Sequence, residues 1–252
     1  MVAYLDHAAT TPLRPEALAA MLPYLGEHFG NPSGSHAVAR RAKQAIEDAR
    51  EEAAAALGCR PAEVVFTGGG TEADNLAIAG VVGREGGRPA CGAAEHHAVL
   101  HATQALGGVV VAAGADGDVD LDALAAALDA DVTVVSVMLA NNEVGTVQDL
   151  VPVAGVVRAR APRAALHTDA VQGFPWLDVA TAAGVADLVA LSAHKFGGPK
   201  GVGALVVRRN RPLAPIIHGG GQEADRRSGT HNVAGIVGMA AAMTATVAAR
   251  AA

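Results

Sequence analysis

Unbroken apolar runs, rich in β-branched residues, punctuate the chain at Glu63–Thr67 (EVVFT), Gly107–Ala113 (GGVVVAA), Val132–Met138 (VTVVSVM), Ala164–Ala170 (AALHTDA), Ala186–Ala193 (ADLVALSA) and Gly203–Val207 (GALVV). Arg88–Ala94 has a similar, weaker character. Helical patterning fills several of the intervals: Ala37–Leu57, Thr71–Val82, Val99–Leu106, Leu121–Leu128 and Leu150–Ala159. Runs that are apolar throughout, with no alternation, mark strands buried on both faces. Helices between such runs supply the crossovers that parallel strands need. The pattern predicts an α/β fold with a mostly parallel central sheet and helices on both faces. A last helical stretch, Met239–Ala252, carries no glycine or proline stop, so either it ends the protein or further chain succeeds it.

Composition narrows this picture. The chain has 252 residues, 51% of them hydrophobic and 3% aromatic, which suits one large domain or two small ones with a core of small side chains. The net charge is −6 and its charges are interspersed, so no basic stripe exists for a phosphate backbone and nucleic acid is excluded as a partner. The opening MVAYLDHAATTP is not a signal peptide, and the alanine-rich segments are broken by charges or glycines, so no membrane association is expected. Cys59 and Cys91 form neither a disulfide framework nor a C-x-x-C knuckle, and a cytoplasmic location is expected.

In open α/β sheets ligands collect beyond the carboxyl ends of the strands, so the residues just past each run are informative. After Thr67 comes GGGTEADN, in which Gly70 and Thr71 stand where a helix begins; this is either a phosphate cradle or an ordinary capped turn, and it is neither a G-x-G-x-x-G nor a Walker loop. After Ala94 comes EHHAVLHAT, whose His96, His97 and His101 lack an acidic or cysteine partner at a recognisable metal spacing; an imidazole here instead stacks on a flat ring or moves protons, and no metal is expected. Asn141 and Asn142 come after the run ending at Met138, as amides facing a ligand or as turn formers. Asp169 closes another run with Gln172 three residues on; a carboxylate there needs a partner, such as a protonated ring nitrogen, unless it caps the next segment. Ser192, His194 and Lys195 come after Leu191, where desolvation turns a lysine amine into a nucleophile. An amine, an acid for a ring nitrogen, a stacker and a phosphate cradle together match the needs of pyridoxal phosphate.

YLDHAATTP, FGNPSGSH, EVVFTGGGTEADNLAI, EHHAV, NNEVGTVQD, HTDAVQ, SAHKFGGPKGVGAL, HGGGQEADRRSGT and NVAGIVGMA occur in the order and approximate spacing of the cysteine desulfurases. The chain resembles that family, within the class V aminotransferases of fold type I, from Tyr4 to about Met239. The resemblance implies a pyridoxal-phosphate-binding large domain over residues 16–252, with an N-terminal segment, residues 1–15, that joins a C-terminal small domain in the family. It implies that Lys195 forms the imine with the cofactor, Asp169 meets the ring nitrogen, and His96 stacks on the ring and serves as acid/base. Gly70, Thr71, Ser192 and His194 match the phosphate site, and Asn142 and Gln172 match contacts to the ring and its hydroxyl. Thr230 resembles a threonine that reaches the partner subunit's cofactor, which implies a homodimer. The implied reaction converts L-cysteine to L-alanine and passes sulfur, as an enzyme persulfide, to an acceptor or scaffold protein of iron–sulfur or thio-cofactor assembly.

The match has gaps. The family's attacking cysteine and substrate-binding arginine lie beyond the RSGT motif, and neither has a counterpart here; the small domain is expected to be absent and the chain alone poorly active. Class V transaminase, selenocysteine lyase and a cofactor-binding pseudoenzyme or scaffold therefore stay open as readings. Ala224 stands where the family usually has arginine, which leaves a loosened loop around Thr230 or an engineered change as readings.

Overall fold

The computed structural model describes residues 3–250. Seven strands form one sheet: β1 (Val64–Thr67), β2 (Arg88–Gly92), β3 (Val109–Val111), β4 (Val132–Ser136), β5 (Ala165–Asp169), β6 (Leu188–Ser192) and β7 (Gly203–Val207). Their order across the sheet is β1-β7-β6-β5-β4-β2-β3. Pairings among β3, β2, β4, β5 and β6 are parallel, and β7 runs antiparallel to both β6 and β1. Each predicted run contains its strand, so the expectation of a mostly parallel sheet holds. The exception, β7, is joined to β6 by the segment 193–202, which carries no crossover helix of the kind a parallel strand needs.

The helices are α1 (Pro15–Leu25), α2 (Ala37–Leu57), α3 (Gly70–Glu85), α4 (His97–Ala105), α5 (Leu121–Ala127), α6 (Leu150–Arg160), α7 (Val179–Ala182) and α8 (Val233–Arg250). They cover the sheet on both faces. Val65, Val134, Ala165, Leu188, Ala190 and Leu205 face one side, where Ala73, Leu76, Ala77 and Val81 of α3 meet them. Val64, Phe66, Val135, Leu166, Val189 and Val206 face the other, against a layer that includes α2, α6 and α8. Alternate residues of the strands thus serve separate cores, which is why most of the strands read as apolar runs; β5 departs from this with buried His167, Thr168 and Asp169. Cys91 sits in the first of these cores, as its strand-like context suggests.

By length and composition α8 is apolar enough to cross a membrane. Here it is seated as a core helix, with Ile236, Met239, Ala240, Ala242 and Met243 buried and α1 and α2 lying against it. The sequence pattern did not reveal α1: Ala17 is its one buried residue, Pro23 interrupts it, and Leu18, Leu22 and Leu25 are exposed.

Glycine is required where β7 passes the turn after β1. A Cβ at Gly203 would lie 2.5 Å from the Leu191 carbonyl oxygen and 2.6 Å from the Gly69 carbonyl carbon, both backbone atoms. Neither can rotate away. Gly203→Ala is expected to cost about 1–3 kcal/mol, as overpacking typically does. Urea unfolding checks this, and an unchanged midpoint would refute it.

Candidate active site

The carboxyl ends of β1, β4, β5 and β6 deliver their adjoining turns to one cavity of about 270 Å³. Gly70 and Thr71 reach it from the start of α3, and His96 from the turn before α4. Asn142 enters after β4, and Asp169 and Gln172 from the end of β5. Ser192, His194 and Lys195 close it from the end of β6. The cavity therefore unites nine of the ten residues that the family resemblance assigns to cofactor binding. The tenth, Thr230, is exposed and does not line it.

The turn after β1 is shaped by glycine. Gly69 has φ 146° and ψ −178°, a region essentially closed to other residues. A Cβ on Gly70 would lie 2.7 Å from Val171 Cγ2. No side chain caps α3, so its first N–H groups stay free beside the buried Ser192 hydroxyl. Free amides with the positive end of a helix dipole make an anion site. Glu72, one residue further, accepts from Gly68 N at 2.8 Å and is gripped by Arg227 at 2.7 and 3.2 Å.

Lys195 ends a single 3₁₀ turn, Ala193–Lys195. Its Nζ donates to the Ala8 carbonyl and, at 3.2 Å, to the Ala9 carbonyl. The same N-terminal segment grips the lysine turn elsewhere: Thr11 Oγ1 donates to the His194 carbonyl at 2.8 Å and accepts from Gly197 N at 2.8 Å. His194 Nδ1 lies 3.1 Å from Thr10 Oγ1. Burial lowers the pKa of Lys195, against the opposing pull of Asp169 and Asp6. His194 is lowered by burial and by the cations Lys195 and Lys200. Sequence reasoning missed the grip of residues 8–11. The motif DHAATTP was visible, but nothing in its pattern indicated what it touches.

Asp169 is 3% exposed, and its Oδ1 accepts from Val171 N at 2.8 Å. Burial raises its pKa; the Val171 amide, His96 and Lys195 oppose the rise. Two further carboxyls stand close by that the sequence did not flag. Asp74, on α3, is 1% exposed and faces the same cavity. Glu95 accepts from Met138 N at 2.6 Å, and its Oε2 is shut from solvent without a partner. Burial raises both of these groups well above the carboxylate range. Asp74, His96 and Asp169 each offer an atom within 4.8 Å of the other two, so two carboxyls and an imidazole meet at this end of the cavity.

Other expectations find their geometry here. The His97 and His101 rings lie side by side, their centroids 5.0 Å apart and their planes tilted by 31°. His96 Nδ1 accepts from Ala98 N at 3.1 Å, which caps α4 and fixes the ring. The Asn141 amide is used up in its turn, donating to Ala94 O and accepting from Glu143 N and Val144 N. Asn142 is the one of the pair left facing the cavity. Gln172 Oε1 is buried without a hydrogen-bond partner. Cys59 and Cys91 stay outside the cavity, and burial pushes both thiols up to about 11.

The aminotransferase class-V family model matches residues 3–250. A cysteine desulfurase IscS of Dictyoglomus turgidum is 46% identical over 248 residues, covering 95% of this chain and 62% of that protein. An IscS-like cysteine desulfurase of Mycobacterium tuberculosis is 46% identical, covering 96% and 64%. The chain thus spans less than two thirds of the length of these relatives. Among solved structures, a NifS-like protein superposes with a TM-score of 0.95 at 38% identity, over 100% of this chain and 71% of its own. SspA in complex with cysteine gives 0.89 at 37% identity, over 96% and 72%. Motif order, sheet topology and these matches agree, and the chain belongs to the aminotransferase class-V family.

Proposed function

We propose that this chain binds pyridoxal phosphate and serves cysteine desulfurase chemistry, taking sulfur from L-cysteine and leaving L-alanine. The observation that carries the reading is that the Lys195 amine and the Asp169 carboxyl face one cavity, which also holds the uncapped start of α3. A phosphate-bearing ring with an aldehyde and a basic nitrogen meets each demand of that cavity: anion site, amine, buried acid and the orphaned Gln172 acceptor. The names of the matched relatives, and the cysteine complex of SspA, support the substrate.

In this reading Lys195 holds the cofactor covalently and Asp169 meets its ring nitrogen. The α3 amides at Gly70 and Thr71, with Ser192 and His194, receive the phosphate. Asn142 and Gln172 contact the ring and its hydroxyl, and His96 lies against the ring face and relays protons. When bound, the cofactor supplies an electron sink for bonds around the substrate's α-carbon. The lowered pKa of Lys195 leaves more of its amine unprotonated at neutral pH, the form able to attack an aldehyde. The sulfur-receiving thiol is assigned to neither Cys59 nor Cys91, since both sit outside the cavity with raised pKa values. We further propose a cytoplasmic homodimer in which the exposed Thr230 reaches the second copy's cofactor, and a sulfur-acceptor or scaffold protein as partner.

Addition of pyridoxal phosphate to the purified chain should give imine absorbance and a borohydride-trapped adduct; neither appearing would end the reading. Asp169→Asn should weaken cofactor retention about 10- to 100-fold, the size expected for loss of one charged hydrogen bond. Equilibrium dialysis measures this, and unchanged retention would remove Asp169 from the site.

A further inference from the structure

Behind the cavity a line of buried polar groups runs into the sheet. His167 on β5 and Ser136 on β4 are each 0% exposed. The His167 Nδ1 lies 2.9 Å from Ser136 Oγ, and its Nε2 lies 3.5 Å from Asp74 Oδ1. Apart from each other, Asp74 Oδ1 and His167 Nε2 have no polar partner among the described residues. Two arrangements of hydrogens satisfy the line. In one, an ionised Asp74 accepts from Nε2–H while the Ser136 hydroxyl donates to Nδ1. In the other, a protonated Asp74 donates to Nε2 while Nδ1–H donates to Ser136 Oγ.

The neighbours decide between them. Asp169 offers its carboxyl within 4.8 Å of Asp74. Glu95, from the turn before α4, adds a third buried carboxyl whose charge also acts on Asp74. The compensating groups act on Asp169 and not on Asp74: Lys195, held by the Ala8 and Ala9 carbonyls, and His96, which has an atom within 4.8 Å of both carboxyls, oppose the rise of Asp169, while burial, Asp169 and Glu95 all raise Asp74. His167 does not supply charge either, since burial lowers it to about 3. Two adjacent carboxylates in so dry a place cannot both ionise for one positive charge.

We propose that Asp74 is a positioning residue that keeps its own proton, directed at His167 Nε2, so that Asp169 is the single ionised carboxylate left facing the ring nitrogen. The consequence rests on the cofactor reading, whereas the protonation state rests on the geometry of the chain alone.

The test is carboxyl-carbon NMR on protein labelled at aspartate, which leaves Glu95 silent, with and without pyridoxal phosphate. Asp74, identified by loss of its resonance in Asp74→Asn or by sequential assignment in the wild type, should read as protonated at neutral pH in both states. In Asp169→Asn its ionisation should move to lower pH, because the competing charge is gone; an Asp74 that does not share its ionisation with Asp169 would not respond. Nitrogen NMR of labelled His167 should show the Nδ1–H tautomer. An ionised Asp74 at neutral pH in either state, or the Nε2–H tautomer of His167, would overturn the proposal. Failure of the cofactor reading shows separately, as absent imine absorbance with the cofactor-free Asp74 result intact.

Discussion

Lys195→Ala is expected to abolish borohydride-stable attachment of pyridoxal phosphate, and to lower any cysteine-dependent turnover by roughly 10²- to 10⁴-fold. The chain has three lysines, Lys43, Lys195 and Lys200. Lys43 is exposed on α2 and Lys200 is exposed outside the cavity, so among the described residues no other lysine stands where the aldehyde would sit. Lys195→Arg should lose attachment equally, since a guanidinium keeps the charge but offers no nucleophile. That pair of variants separates nucleophilicity from charge. The rate of attachment in the wild type should rise with pH through a value below the ordinary lysine range, in keeping with burial of the amine. Peptide mapping after reduction measures all of this. Full adduct in Lys195→Ala, or an adduct mapped to Lys43 or Lys200, would refute the assignment.

What the sequence disclosed was whatever depends on neighbours in the chain. Helix α2 begins and ends where its pattern does. His36 caps its start by accepting from Ala39 N, and Gly58 ends it in the left-handed region at φ 60°. The strand-end residues were legible for a related reason: once a run is a strand of a parallel sheet, the next residues stand at the ligand edge. What stayed hidden depends on register between distant segments. Nothing local to Asp74 marks it, and only the seating of α3 against β5 sets it beside His167 and Asp169. The grip of Ala8 and Ala9 on Lys195 spans 187 and 186 positions of sequence and has no local signature. Loosening of the loop at Ala224 also finds no support in the contacts. That loop is tied through Glu223 and Arg227, whose partners lie on α2, β1 and α3.

Those ties set the second large effect: Glu223→Ala should destabilise the fold by about 3–5 kcal/mol, the usual result of breaking a buried ion pair. The Glu223 side chain is 1% exposed and accepts from both Nη atoms of Arg50 at 2.9 Å. It also accepts from Phe66 N at 2.9 Å and lies 2.7 Å from His231 Nε2. Removing it leaves the Arg50 guanidinium buried over the Phe66 ring with its main counter-charge gone. The backbone adds to the loss, because Glu223, Ala224 and Asp225 all have positive φ, at 51°, 56° and 63°. Each such residue costs roughly 1–2 kcal/mol, so this turn persists because Glu223 anchors it. Burial alone would raise the carboxyl, but bonds from His231, Arg50 and Phe66 outweigh it and bring the pKa from 4.5 down to about 2. A depressed carboxyl stabilises above its unfolded value and loses that contribution as pH falls through its folded one. The drop from 4.5 to about 2 is worth about 3 kcal/mol, in line with the mutational figure. Urea unfolding should therefore show the full wild-type advantage at neutral pH, closing between about 4.5 and 2. Limited proteolysis at Arg226 and Arg227 should quicken in Glu223→Ala, since the segment they belong to would have lost its anchor. A gap that stays constant on acidification, or unchanged cleavage at those arginines, would show that Glu223 does not carry the turn.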